Sequence, residues 1–319
     1  MATTERKETA KTSLFFEFFA NNACEFPRPG HHARVVTLAI QEIRHAVIRA
    51  LAEDVGGGDL TTLATVPRGA RARARIVARE PLVVAGLAFA EAAFNARGGP
   101  VVCQRRVADA ERVGSGAVLV TLRGDARSLL TAERVALNFL QRLSGVATLT
   151  ARFVEAVAGT SARILDTRKT TPGWRRFEKY AVVCGGGQNH RLGLYDMALI
   201  KDNHLVALRD AKPDAITVAV RRVRARYPDV KVGVEADTLP QVEQAVAARA
   251  DWILLDNMPR KTLRRAVALV GGRALTEASG GVTLNTVRAI AETGVDFISV
   301  GALTHSARAV DIALDFEAP

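Results

Sequence analysis

Aromatic residues are scarce in this chain of 319 residues, at 5%, and there are only three cysteines. Cys24, Cys103 and Cys184 lie far apart, with no CxxC pair and no His/Cys ligand spacing. Neither a disulfide framework nor a zinc site is supported, and a reducing cytoplasm fits. Long apolar runs are also missing. Charged residues interrupt every stretch before the ~20 apolar positions that a membrane span needs. Near the start, Glu17 splits the cluster Phe15, Phe16, Phe18 and Phe19, and Asn21 and Asn22 follow, which argues against a signal peptide. The Gly-Lys-Ser/Thr phosphate loop, HExxH, the nucleophile elbow and the EF-hand spacing are absent too. The length suits a soluble protein with one large barrel or two smaller domains.

Negative charge is in deficit: 44 Lys and Arg face 33 Asp and Glu, a net +11. A basic balance invites a nucleic-acid reading. Against it, Arg71, Arg73 and Arg75 alternate as on the wet face of a strand. Arg221, Arg222, Arg224 and Arg226 crowd a helix end, where cations suit the dipole. With few aromatics and no helix-turn-helix, zinc-finger or RNA-recognition signature, nucleic acid is not the expected partner, nor is a membrane. The positive field would instead steer a small polyanion.

Residues 1–36 read as a flexible N-terminal tail. The spacing predicts a helix over 38–52, ending at Gly56-Gly57-Gly58. It predicts strands over 71–79, 101–107 and 117–123, with a turn near Gly98-Gly99, so this part reads as a small α+β domain. A long helical region over 126–158 is expected to break at Ser144-Gly145. After residue 160, apolar runs recur at Ile164-Leu165, Met197–Ile200, Val230–Val234, Trp252–Leu255, Ala274-Leu275 and Phe297–Val300, with amphipathic helices between most of them. Strands alternating with helices imply parallel strands and right-handed crossovers. An α/β barrel, complete or incomplete, is expected; a doubly wound open sheet is the alternative.

The residues after each strand carry the chemistry. They are Asp166-Thr167-Arg168-Lys169, Lys201-Asp202-Asn203-His204, Glu235, Asp256-Asn257, Ser279-Gly280-Gly281 and Gly301. In barrels, the carboxyl ends of strands gather the active site. One half would be cationic, with Arg168, Lys169, His190, Arg191 and Lys201. Arginine forks match carboxylates, and lysine supplies a point charge for phosphate. The other half is acidic, with Glu235 and Asp256, suited to ribose hydroxyls or to a Mg²⁺ bridging a pyrophosphate. The alternative is that these charges pair as structural salt bridges. The Gly-rich turns Ser279–Gly281 and Val300-Gly301-Ala302 could offer bare N–H groups to phosphate. Cys184 reads as a small buried residue, and Glu53-Asp54 with Asp59 as a turn capping the first helix. His31-His32, in the tail, reads as inert.

Ordered motifs carry a family resemblance. They are Asp166–Gly173, Cys184–Gly187 with Gln188-Asn189-His190-Arg191, and Ile200–His204. Further ones are Glu53-Asp54 with Gly58-Asp59, Thr131–Arg134 with Leu137-Asn138, Ser144-Gly145, Leu255–Asn257, Glu277–Gly281 and Val300–His305. From about residue 38 to the end, the chain resembles quinolinate phosphoribosyltransferase, the carboxylating nicotinate-nucleotide pyrophosphorylase family. The resemblance implies an N-terminal α/β sandwich over 37–145, to which 306–319 return, beside an open α/β barrel over 146–305. It implies a homodimer in which Arg134 reaches the partner's site. Quinolinate would lie among Arg134, Arg168, His190, Arg191 and Lys201. Phosphoribosyl pyrophosphate with Mg²⁺ would meet Lys169, Lys201, Glu235 and Asp256, and Thr167 would also be substrate-binding. Its 5′-phosphate would rest on Ser279, Gly280, Gly281, Val300, Gly301 and Ala302. Catalytic roles would fall to Lys169, Glu235 and Asp256, the last two also facing the metal. The implied reaction gives nicotinate mononucleotide, carbon dioxide and pyrophosphate, a step towards NAD. Trp174 and Ala236 depart from the family pattern, where a smaller apolar and a β-branched residue are expected. A nicotinate-specific enzyme and a Schiff-base aldolase using Lys201 are the rival enzymes.

Overall fold

The computed structural model describes residues 36–96 and 99–317. The tail expected over 1–36, with Cys24 and the His31-His32 pair, lies outside the described residues except for Val36, as does Gly98.

Two short helices open the described fold, α1 (Ile40–Val55) and α2 (Leu60–Thr65). Ile43, Val47 and Leu51 recur at helical spacing and are buried on one face of α1. Asp59 caps α2 by accepting a hydrogen bond from the Thr62 N–H at 3.0 Å. Around them lie β1 (Arg71–Ala78), β2 (Leu82–Val83), α3 (Leu87–Asn95), β3 (Val101–Arg105), β4 (Arg112–Val113) and β5 (Val118–Asp125). In β1, Arg71, Arg73 and Arg75 are exposed while Ala74 and Ile76 are buried, the two-residue alternation of a half-buried strand. The last strand, β12 (Ile312–Phe316), returns from the end of the chain and pairs with β1, Ile76 opposite Leu314. The resulting antiparallel sheet has the order β12-β1-β5-β3.

The helix α4 (Ala126–Ala156) runs for 31 residues without the break expected at Ser144-Gly145. The small residues serve close packing instead. The Ser144 hydroxyl accepts from the Ala85 N–H at 3.0 Å. A Cβ on Gly145 would lie 2.0 Å from the Arg308 carbonyl oxygen. Tertiary packing therefore outweighs the roughly 1 kcal/mol helix cost of glycine. Gly145→Ala should destabilise the fold by about 1–3 kcal/mol, because the obstacle is backbone that cannot rotate away. A thermal or urea melt checks this; a stabilised variant would mean that the return segment shifts freely.

The second sheet is all parallel: β6 (Arg163–Leu165), β7 (Ala198–Ile200), β8 (Val232–Ala236), β9 (Trp252–Asp256), β10 (Leu275–Ser279) and β11 (Phe297–Ser299). Its order is β6-β11-β10-β9-β8-β7, with β6 and β7 as the edges. Helices alternate with the strands: α5 (Arg175–Cys184), α6 (Asp202–Val206), α7 (Ala215–Arg226), α8 (Leu239–Ala247), α9 (Arg260–Val270), α10 (Leu284–Ala291) and α11 (Ala302–His305). This is the open α/β barrel, with a separate antiparallel sheet at its side. β10 runs on to Ser279, well past the apolar pair Ala274-Leu275 that marks it in sequence. Its buried polar members have partners. The Thr276 hydroxyl donates to Asp296 at 2.8 Å, and Glu277 accepts from His190 and Trp252. Such residues do not register as a hydrophobic run.

Trp174, one of the departures, joins an aromatic stack. Its ring lies 4.9 Å from that of Phe139, which lies 4.7 Å from Phe89, both pairs nearly parallel. The larger ring thus ties the start of α5 to α4 and α3, an extra contact between barrel and sandwich.

Candidate active site

The strand ends meet on one rim, as parallel strands with helical returns require. β6 ends in Leu165, and the Asp166–Gly173 loop follows. Arg168 is half-buried, and its Nε is buried without any hydrogen-bond partner. A buried, unmatched guanidinium donor is costly unless a ligand meets it. Lys169 is exposed, and its side chain lies along Gly301, 3.3 Å from where a Cβ would sit. The Thr304 hydroxyl donates to the Lys169 carbonyl at 2.7 Å. At the far end of the loop, Thr171 is held through its N–H (3.0 Å) and hydroxyl (2.9 Å) by Glu178, which is fully buried and also accepts from Arg142 at 2.6 Å. Thr167 accepts from the Lys169 N–H at 3.0 Å and so shapes the turn.

A buried ion pair lies beneath. Lys179 Nζ donates to Asp166, with both side chains fully buried. Asp166 also accepts from Asn189 Nδ2 at 2.7 Å and from the His190 N–H at 2.9 Å. Burial pushes the Asp166 carboxyl up and the Lys179 ammonium down, and each opposes the other's shift. The pair locks the Gln188–Arg191 segment against the end of β6.

Both ring nitrogens of His190 have protein partners. Its Nδ1 accepts from the Arg191 N–H at 2.7 Å, so the ring proton belongs on Nε2, which faces Glu277 at 3.1 Å. The Trp252 indole donates to the same Glu277 oxygen at 2.6 Å. Burial pushes the Glu277 carboxyl up, but the His190 ring and hydrogen bonds from His190, Ser299 and Trp252 more than offset this and hold it below the usual carboxylate range. Glu277 occurs in the family motifs but carried no assigned role in sequence. The available signal was a charge inside a barrel strand, which is rarely buried without a partner. Glu277→Ala should cost about 1–3 kcal/mol of stability for each donor it strands, the His190 and Trp252 ring N–H groups above all. Glu277→Gln, able to accept from both, should keep most of that. Urea unfolding of the two variants distinguishes them, and equal stability would show that the His190 contact is idle.

Arg191 donates to the Met197 carbonyl at 3.0 Å. Burial pushes its guanidinium down, and the nearby Arg168 adds to this, partly countered by Asp196 and Glu277. Two cations thus crowd one place, as expected of an anion pocket.

The cationic and acidic halves meet rather than standing apart. Lys201 Nζ donates to Glu235, with the lysine 43% and the glutamate 12% exposed. That contact argues against Lys201 as a free Schiff-base amine. Asp256, the last residue of β9, accepts from Asn257 Nδ2 at 2.7 Å. The Asn257 N–H in turn donates to the Ser279 carbonyl at 2.9 Å. At Gly280, φ is +98° and a Cβ would lie 2.0 Å from the Asn257 side chain, so only glycine fits. Ser279, Gly280 and Gly281 lead into α10, and Val300, Gly301 and Ala302 lead into α11, on the same rim. Arg134 is exposed on α4. Cys184 is 5% exposed with its thiol pushed well up by burial, which suits a packing residue and not a nucleophile.

The family model described as quinolinate phosphoribosyl transferase, C-terminal domain, matches residues 146–315, and the corresponding N-terminal domain model matches 59–144. A nicotinate-nucleotide pyrophosphorylase [carboxylating] of Mycobacterium leprae is 47% identical over 85% of this chain and 96% of its own. The probable enzyme of that name from Bacillus subtilis is 42% identical over 82% and 89%. The solved nicotinate-nucleotide pyrophosphorylase of Francisella tularensis superposes with a TM-score of 0.83 at 38% identity, covering 89% of this chain and 99% of that one. The chain belongs to the quinolinate phosphoribosyltransferase family.

Proposed function

We propose that the protein condenses quinolinate with phosphoribosyl pyrophosphate and releases pyrophosphate and carbon dioxide, leaving nicotinate mononucleotide for NAD synthesis. The observation that carries this reading is the unmatched buried Nε of Arg168 beside Arg191. Two crowded guanidinium groups suit a ligand with two carboxylates, because each fork can engage one of them in bidentate geometry. Nicotinate, with one carboxylate, would leave charge unmatched. Arg134, on a partner subunit's α4, adds a further cation in the homodimer.

Phosphoribosyl pyrophosphate lies across the rest of the rim. Lys169, aligned with Gly301, and Lys201 face its pyrophosphate, and the two Gly-rich turns carry its 5′-phosphate. The donor set fits Mg²⁺. Glu235 and Asp256 stand on adjacent strands, and Mg²⁺ is usually held by one or two carboxylates plus substrate phosphates. Among the described residues no cluster of three or more His, Cys, Asp or Glu forms a cage of its own. When bound, the ion would neutralise charge on the departing pyrophosphate.

In the first step the pyridine nitrogen attacks the anomeric carbon as the bond to the pyrophosphate oxygen breaks. The transition state resembles an oxocarbenium ion. Glu235 and Asp256 place negative charge beside it, and Lys169 stabilises the leaving group. Arg168 and Arg191 orient the ring nitrogen, while His190, held by Glu277, lines the pocket without spending a ring nitrogen on the substrate. The C2–carboxylate bond then breaks, and its electron pair stays at C2 beside the new pyridinium until a proton arrives. Unpaired Cys103 and Cys184 support a cytoplasmic setting, and no helix among the described residues is long and apolar enough to cross a membrane.

The test supplies purified protein with phosphoribosyl pyrophosphate, Mg²⁺ and either quinolinate or nicotinate, and follows carbon dioxide and the mononucleotide. Product from quinolinate alone is expected. Product from nicotinate alone would overturn the dicarboxylate reading.

A further inference from the structure

We infer that Arg175 is a positioning residue that sets the spacing between Arg168 and Arg191, and so the fit of the pocket to a ligand with two carboxylates. This rests on the dicarboxylate reading above. Arg175 is the first residue of α5, directly after Trp174, whose ring is fixed in the aromatic stack. Its guanidinium is spent on two loops. Nε donates to the Thr170 hydroxyl at 3.1 Å and Nη2 reaches the Arg168 carbonyl at 3.5 Å, both in the first loop. Nη1 donates to the Leu192 carbonyl at 3.1 Å in the second. Arg168 lies in the first loop, and Arg191 directly precedes Leu192.

The second loop is held at the same residue from the other side. Asp196 accepts from the N–H groups of Leu192 (2.7 Å) and Gly193 (3.0 Å). Leu192 therefore has its N–H and its carbonyl both fixed, and the latter by Arg175. Arg168 and Arg191 are both cations and repel each other. A rigid brace between their backbones counters that repulsion before the ligand binds, which is the condition for bidentate recognition. Lysine keeps the charge of Arg175 but has a single nitrogen, which does not reproduce a planar fork on three acceptors. With every guanidinium nitrogen engaged by protein, Arg175 acts through its neighbours and not by touching substrate.

The experiment compares Arg175→Ala, Arg175→Lys and Thr170→Val with the wild type in full-length enzyme. It measures KM for quinolinate, KM for phosphoribosyl pyrophosphate, kcat and the melting temperature. Arg175→Ala is expected to raise the quinolinate KM at least tenfold while the KM for phosphoribosyl pyrophosphate stays within about threefold. Arg175→Lys should recover less than half of that loss on a logarithmic scale. Thr170→Val should show a smaller rise of the same kind. Guanidinium ion at tens of millimolar should lower the raised KM of Arg175→Ala. Wild-type kinetics in Arg175→Lys would overturn the inference, since charge alone would then suffice. So would a lowered melting temperature in Arg175→Ala with both KM values unchanged. A wild type that does not turn over quinolinate would instead sink the dicarboxylate reading itself.

Discussion

Arg168→Ala should lose most of its turnover of quinolinate and gain or keep stability. The Nε of Arg168 has no partner in the protein, and Arg168 stands close enough to Arg191 to depress its guanidinium. Removing it breaks no hydrogen bond at that nitrogen and relieves a repulsion, so the folded state is not expected to suffer. The bound state does suffer. Losing one partner of a buried charge pair costs about 2–5 kcal/mol. At about 1.4 kcal/mol for each tenfold, kcat/KM falls by roughly 30-fold to several thousand-fold. Steady-state kinetics with both substrates, paired with a urea melt, checks the two halves separately. Turnover near that of the wild type would sink the pocket. A large loss of stability would mean that Arg168 holds the loop together and is not kept open for a ligand. Activity gained at the expense of strain is a common arrangement at functional sites.

Lys179→Met should do the opposite and strike stability first. Lys179 and Asp166 are both fully buried and paired. Removal of the lysine leaves a carboxylate in the interior with its charge uncompensated, which costs about 3–5 kcal/mol. The remaining hydrogen bonds from Asn189 and His190 soften the loss without neutralising the charge. The pairing of Asp166→Asn with Lys179→Met removes the uncompensated charge, so the double variant should recover part of the loss. Denaturant unfolding of the single and double variants tests this, and additive losses would mean that the two side chains do not act as a pair. Activity should fall as well in Lys179→Met, because Asp166 holds the His190 N–H and thus the backbone that leads to Arg191.

Much of the molecule is legible in the residues themselves. Alternation in Arg71–Ile76 marks a half-buried strand, and apolar runs at Ile164-Leu165 and Trp252–Leu255 mark parallel strands in the barrel. Their ends name the rim, because a chain that leaves a parallel strand must turn there and the turn residues are polar or glycine. Arg168, Lys201, Glu235, Asp256 and the two Gly-rich turns stand at such strand ends, and Arg191 stands in a family motif. Local pattern failed where distant segments meet. Ser144-Gly145 has the composition of a break and sits in an unbroken helix, because the Arg308 backbone and Ala85 pack against it. Glu277 has the composition of a solvent-facing charge and is buried, because His190 and Trp252 satisfy it.

The amino-acid sequence alone determined the fold class, the family and the list of charged residues at the strand ends, since these follow from periodicity and ordered motifs that act over a few residues. Only the tertiary structure decided which of those charges meet a protein partner and which do not. Lys201 and Glu235 lie 34 residues apart and pair; Arg142, Glu178 and Thr171 join three elements; Arg175 bridges two loops. Pairing across such separations depends on distances in space. An ionisable group takes its character from what surrounds it there, and neighbours in sequence do not specify those surroundings.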